Sequence, residues 1–304
     1  MKTLIRGATL IYAGGPKVED VLIHSGKIQE IRSGIRPMGG ERQIDGSSQY
    51  VLPGFISEEG TLAQGVTTKI KKIHWSETAD LGDWNQNQGE ECTDYVFRVS
   101  LASLTKELLE RLDQNRVKVL RVEQKLDWRI WEERIQRAGI VLELEADEYR
   151  SLAGLSIPFI VPYGRIKKVG RSRTIIKVTD EGRLAWAKQM KKLDPLDMRS
   201  YWLEEQETIL PKLVKEEEIV RYLSILAHIR SRVPAKVFGV FPMKGSLHVG
   251  ADADLVLLER SQLVDQAGAA LVPRVMRKGE WIESGERAGK SQFLSANRTY
   301  AYGF

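Results

Sequence analysis

Apolar and polar residues alternate with a period of two over the first fifty positions. The stretches TLIRGATLIYA, VEDVLIHSGKIQEIRSG and RQIDGSSQYVLPG therefore read as short strands. In VLIHSGKIQEI, Ser25-Gly26 separates two apolar runs and predicts a hairpin. The last seventy residues return to the same texture in GSLHVGADADLVLLE and RVMRKGEWIESGE. Neither end supplies enough strands to bury a sheet face by itself. The two are expected to join as one small β-domain, residues 1–50 with 236–304, and to enclose residues 51–235 as a second domain.

The middle has a different rhythm. Strand-like TTKIKKI (67–73), YVFRVSL (95–101), VKVLRVEQ (117–124) and IVLELEAD (140–147) alternate with helical TKELLERLDQN (105–115) and DWRIWEERIQRAG (127–139). Such alternation predicts βα units around a parallel sheet or barrel. Thr105 is placed to cap the first helix and Gly139 to close the second. Further strands are expected in SIPFIVPYG and TIIKVTD and a helix in EGRLAWAKQMKKL. One or two long helices should follow from Glu205 to Ser231, broken at Pro211 if that residue is interior. Residues 51–235 fall short of the roughly 200 to 250 that a full eight-unit barrel takes. The fold class expected is α/β: a shortened or incomplete (β/α) barrel with a small composite β-sandwich built from both chain termini.

Composition narrows the function classes. No apolar run is long enough to span a bilayer, and Gly7 and Thr9 interrupt the N-terminal apolar patch, which argues against a secretory leader. The single cysteine, Cys92, excludes an internal disulfide framework and a cysteine-built zinc site, so a cytoplasmic location is expected. Net charge is only +5. Its one concentrated basic run, Gly164–Arg173, holds five cations and no aromatic residue for base stacking. A solvated hairpin explains that run better than a nucleic-acid contact.

Five phrases occur in an order that resembles the amidohydrolase superfamily. IDGSSQYVLPGFIS (Ile44–Ser57) is similar to the family's approach to its first barrel strand, and DVLIHSGKIQEI (Asp20–Ile31) to the opening of its small β-domain. LAQGVTT (Leu62–Thr68) resembles the entry to the second barrel strand. VPAKVFGVFPMKGSLHVGADADLVLLE (Val233–Glu259) carries the Pro-Ala-x-x-x-Gly, Lys-Gly and Gly-x-Asp-Ala-Asp-Leu phrases of the return into the β-domain. VMRKGEWI (Val275–Ile282) resembles the final strand pair. EQETILPKLV (Glu205–Val214) adds a likeness to the dihydroorotase and hydantoinase branch.

This resemblance implies hydrolysis of cyclic amides or related C–N bonds at one or two divalent metals, commonly zinc, that activate a bound water. The family's ligands are a His-x-His after the first strand, sometimes a carboxylated lysine on strand four, two later histidines and an aspartate on strand eight. Here the His-x-His positions hold Glu59 and Thr61, and the strand-four position holds Leu120, with Lys118 or Lys125 open to a slipped register. The strand-five histidine is replaced by Glu145, and no histidine stands between His74 and His228. Of the four histidines, His24 and His248 match surface positions, His228 falls on a helix, and His74 alone is near a barrel mouth. The aromatic-rich stretch 75–92 reads as a loop over that mouth, anchored by Trp75 and Trp84.

The resulting expectation is a catalytically degenerate relative that binds or scaffolds, with no cofactor and no metal. Its partners would be further copies of itself, an active relative or a small molecule, and neither nucleic acid nor a membrane. The alternative is an active C–N hydrolase whose site is rebuilt from carboxylates, with Glu59, Glu145 and Asp147 as candidates beside His74. Glu58 belongs to the same acidic group. Such an oxygen-donor set suits Mg²⁺, Ca²⁺ or Mn²⁺ better than zinc.

Overall fold

The computed structural model describes residues 2–12, 14–75, 93–144, 155–162, 174–178, 201–203, 215–264, 272–282 and 294. Cys92, Trp84, the basic run Gly164–Arg173, the helix expected over 181–193 and the segment around Pro211 lie outside them.

The first sheet draws on both ends of the chain. β1 (Lys2–Tyr12), β2 (Gly15–His24) and β3 (Lys27–Arg32) form an antiparallel meander. Ser25 and Gly26 both take positive φ, 50° and 76°, as the tight hairpin between β2 and β3 requires. β4 (Arg42–Asp45) and β5 (Gln49–Pro53) lie parallel to β1. The other neighbour of β5 comes from two hundred residues further on (Leu52 opposite Val256), within the strand named below as β14.

A Pro53-Gly54 step leads into the second sheet. A Cβ on Gly54 would come within 2.2 Å of the Thr67 hydroxyl oxygen, so only glycine permits this approach. The strands are β6 (Phe55–Ser57), β7 (Val66–His74), β8 (Asp94–Leu101), β9 (Val119–Val122), β10 (Val141–Glu143), β11 (Phe159–Pro162), β12 (Thr174–Val178) and β13 (Tyr201–Leu203). All are parallel and lie side by side in chain order. This curled sheet is the barrel, and it is incomplete in its closure. Among the described residues, β6 and β13 are edges that do not pair with each other.

Two amphipathic helices cover the outer face. α1 (Lys106–Gln114) begins at Thr105, whose side-chain oxygen accepts from the Leu108 amide at 3.2 Å. α2 (Trp128–Ala138) ends at Gly139 in the left-handed conformation, φ 64°. Their buried faces join Phe97, Val99, Leu120 and Val122 in one cluster. Trp75 is in the same cluster, beneath the Arg111 guanidinium at 4.8 Å, so it anchors the helical side of the sheet. The inner face is a separate layer that includes Ile56, Ile70, Val96, Val119, Val141 and Ile175. The two clusters follow from period-two alternation on strands buried on both sides.

The chain returns through α3 (Glu216–Ala227), a π-helical turn at His228–Arg232 and α4 (Val233–Val237). The π turn packs against both unpaired edges, β6 and β13, so helix stands where strand pairing would close the ring. The Ser231 hydroxyl donates to the Pro53 carbonyl at 3.1 Å. β14 (Leu255–Glu259), β15 (Arg274–Arg277) and β16 (Glu280–Ile282) then complete the first sheet, in the order β16-β15-β14-β5-β1-β2-β3. Among the described residues, no helix is long and apolar enough to cross a membrane.

Candidate functional site

Parallel strands in this arrangement put their C-terminal ends at one mouth, where βα loops place functional groups. Above the apolar inner layer, alternation turns a second layer of side chains inward, and these are charged. β8 contributes Arg98, β10 contributes Glu143, β12 contributes Lys177, and the turn after β6 contributes Glu58.

The four form a continuous ion-pair chain. Arg98 reaches Glu58 at 2.9 Å through one terminal nitrogen, and its Nε lies 3.3 Å from Glu143. Lys177 Nζ lies 3.4 Å from the other oxygen of Glu143 and sits 5.1 Å from the ring centre of the buried Trp202. Lys72 closes on Glu58 from the solvent side at 2.9 Å. The Glu58, Arg98, Glu143 and Lys177 side chains are all at most 13% exposed, so little water screens them.

The sequence candidates fall differently. Glu59 and Thr61 are exposed, and it is Glu58 that turns inward. Leu120 faces the helices, while Val119 of the same strand faces inward. Lys118 is buried and donates to the Ala138 carbonyl at 2.5 Å, tied to the end of α2 away from the charged layer; Lys125 is exposed. His74 ends β7 at the mouth, largely exposed, with Nδ1 3.7 Å from Glu123. His24 and His248 are exposed, and His228 is buried in the π turn. Glu145 and Asp147 lie outside the described residues.

A family-type metal does not fit what this layer offers. Zinc needs converging neutral nitrogens or unpaired anions, and a divalent ion set between Glu58 and Glu143 would meet Arg98 and Lys177 at contact range. The two carboxylates already share three cations.

A second cluster was not legible from motifs alone. Carboxylate oxygens of Asp94, Asp252 and Asp254 lie within 4.8 Å of one another, a spacing that would suit a metal ion. The Lys244 ammonium occupies that place, at 2.6, 2.8 and 2.5 Å from the three. Arg277 and Lys278 reach Asp94 at 2.7 and 2.9 Å, and Lys27 pairs with Asp252. Burial alone would raise the Asp94 pKa, but Lys244, Lys278 and Arg277 hold it below the ordinary aspartate value. Asp252 is likewise held low against burial by Lys244 and Lys27. Burial would favour a neutral Lys244 amine, yet the three carboxylates push its pKa above the usual lysine range. Asp94 opens β8, at the end of the barrel opposite the mouth, so this cluster joins the barrel to the terminal sheet.

No protein-family model matches the chain. A 55-residue stretch is 42% identical to the L-hydantoinase of Paenarthrobacter aurescens, spanning 17% of this chain and 12% of that protein. The dihydropyrimidinase of Brevibacillus agri NCHU1002 superposes with a TM-score of 0.73 at 15% identity, covering 98% of this chain and all of that one. The D-hydantoinase of a Thermus species gives the same values. The L-hydantoinase of Arthrobacter aurescens gives 0.67 at 15%, covering 96% and 99%. Over nearly its whole length, the chain has the fold of these dihydropyrimidinase and hydantoinase structures.

Proposed function

We propose that this protein is a catalytically degenerate member of that fold group, which binds or scaffolds and does not hydrolyse. One observation supports the reading above others: the inward layer at the barrel mouth is neutralised from within, Glu58 and Glu143 being held by Arg98 and Lys177. Metal-assisted hydrolysis needs a ligand set that lowers the pKa of a bound water. A layer whose carboxylates are already paired with fixed cations offers a metal no net attraction. Only four histidines are available in the whole chain, and the described geometry scatters them. The retained framework would serve recognition, by a further copy of the chain, by an active relative, or of a small molecule, in the cytoplasm.

The test pairs metal content with turnover. Protein purified without chelator should contain no stoichiometric zinc, and hydantoin, dihydrouracil and dihydroorotate should be left intact. Hydrolysis of any of these that is lost in Glu58→Gln would establish instead a site rebuilt from carboxylates.

A further inference from the structure

We infer that the cleft between the π turn and the terminal sheet is a binding site for a small organic anion with a flat apolar body, such as an aromatic carboxylate. The cleft measures about 370 Å³, within the roughly 300 to 1,000 Å³ of small-molecule pockets. None of its described lining residues belongs to the charged layer at the barrel mouth, and it does not depend on whether that layer is catalytic. Its apolar walls are Ile11, Pro53, Phe241 and Leu247, brought together from the end of β1, the sheet-to-sheet step and the loop leading into β14.

Two of the polar lining residues come from the π turn. His228 and Arg232 stand four residues apart and open and close the π turn, so both face the same cleft. π turns are uncommon and concentrate at functional sites, because they interrupt regular helix bonding. The Arg232 guanidinium lies 5.1 Å from the ring centre of Phe241, with the Lys236 ammonium 5.7 Å from the same ring. Ser246 and His248 also line the cleft, the Ser246 hydroxyl donating to the Pro242 carbonyl at 2.7 Å. Among the described lining residues there is no carboxylate; the acid of Glu19 is set back, accepting from the Tyr12 hydroxyl at 2.8 Å.

The floor is built rather than incidental. Gly245 has φ +70°, and a Cβ there would come within 2.4 Å of the Ser231 carbonyl oxygen. The loop can therefore press onto the π turn only because this residue is glycine. A guanidinium beside an aromatic face, imidazoles and apolar walls together favour a planar anion: the charge meets Arg232 and the body meets Phe241 and Leu247.

Calorimetric titration of the full chain with benzoate, benzamide and inorganic phosphate tests this. Benzoate should bind saturably. Its neutral isostere benzamide should bind at least about tenfold more weakly, the worth of one charge-assisted contact. Phosphate, lacking the apolar body, should bind more weakly than benzoate. Arg232→Met should lower benzoate affinity by a similar factor. If that variant does not fold, benzoate should instead protect Arg232 of the unaltered chain from phenylglyoxal, read by peptide mass mapping. The proposal is overturned by the absence of saturable benzoate binding up to about 10 mM, the limit set by typical ligand efficiency for so small a molecule. Equal binding of benzamide, tighter binding of phosphate, unchanged affinity in folded Arg232→Met, or an unprotected Arg232 would overturn it equally.

Discussion

The Lys244 ammonium donates to the Asp94 carboxylate at 2.6 Å, across 150 residues of sequence and from one sheet's surroundings to the other's. Both side chains are almost fully removed from solvent, at 2% and 0% exposure. Two further aspartates share the same ammonium, so this single cation balances charge contributed by both parts of the molecule.

Removing that cation leaves three carboxylates facing each other in a dry site. Lys244→Met should destabilise the fold by about 3–5 kcal/mol, the usual result of breaking a buried pair from one side. Urea unfolding measures it, and a loss below about 1 kcal/mol would show that the cluster relaxes or hydrates. Because the three oxygen sets are spaced for a cation, Ca²⁺ should restore part of the loss in this variant and leave the unaltered chain unmoved.

The acid limb of stability follows from the same cluster. Asp94 and Asp252 have folded pKa values depressed below the unfolded value of about 4. Their contribution is therefore fully present above that pH and is lost as pH falls through the lower folded values. Denaturant midpoints should hold level from neutrality down to about pH 4 for these groups and then drop. In Asp94→Asn the drop should be shallower, and an unchanged acid limb would count against this assignment.

At the barrel mouth, the pairing of Glu58 should carry stability and the neighbouring Glu59 should carry none. Arg98→Met strands Glu58 and Glu143 with Lys72 and Lys177 alone, and about 2 kcal/mol should be lost, below the fully buried value because these side chains keep some contact with water. Glu59→Gln, on an exposed residue, should leave the unfolding midpoint and cation binding unchanged. Loss of Mg²⁺, Ca²⁺ or Mn²⁺ binding in folded Glu59→Gln would revive the carboxylate-site alternative.

The terminal sheet should not form from one end of the chain. β14 pairs with β5 on one side and β15 on the other, so residues 236–304 alone have a three-stranded piece with one edge stripped of its partner. That fragment should show no cooperative unfolding. Deleting residues 1–50 should bring β14 amides into fast hydrogen exchange. A soluble, cooperatively folding fragment would refute the composite sheet as a single unit.

Local order is written in the sequence. Period-two runs, the Ser25-Gly26 turn, the Thr105 cap and the Gly139 stop depend on residues a few positions apart, and each stands where its spacing indicates. The framework phrases identified the architecture for the same reason: glycines such as Gly54, and the Lys-Gly and Asp-Ala-Asp steps, serve the fold at short range.

Position in space was another matter. A one-residue difference in where a strand ends decides that Glu58 enters the barrel and Glu59 meets solvent, because side chains alternate faces. Asp94 carries no local signal at all, since its partners Lys244, Arg277 and Lys278 arrive from 150 residues and more away. The same holds for the gap that the described residues leave between β6 and β13, where a helical turn packs, and for the cleft lined by that turn. Alternation and turn chemistry act through neighbouring residues and so are written in sequence, whereas charge pairing, closure and cavities act through contacts between distant residues that exist only once the chain has packed.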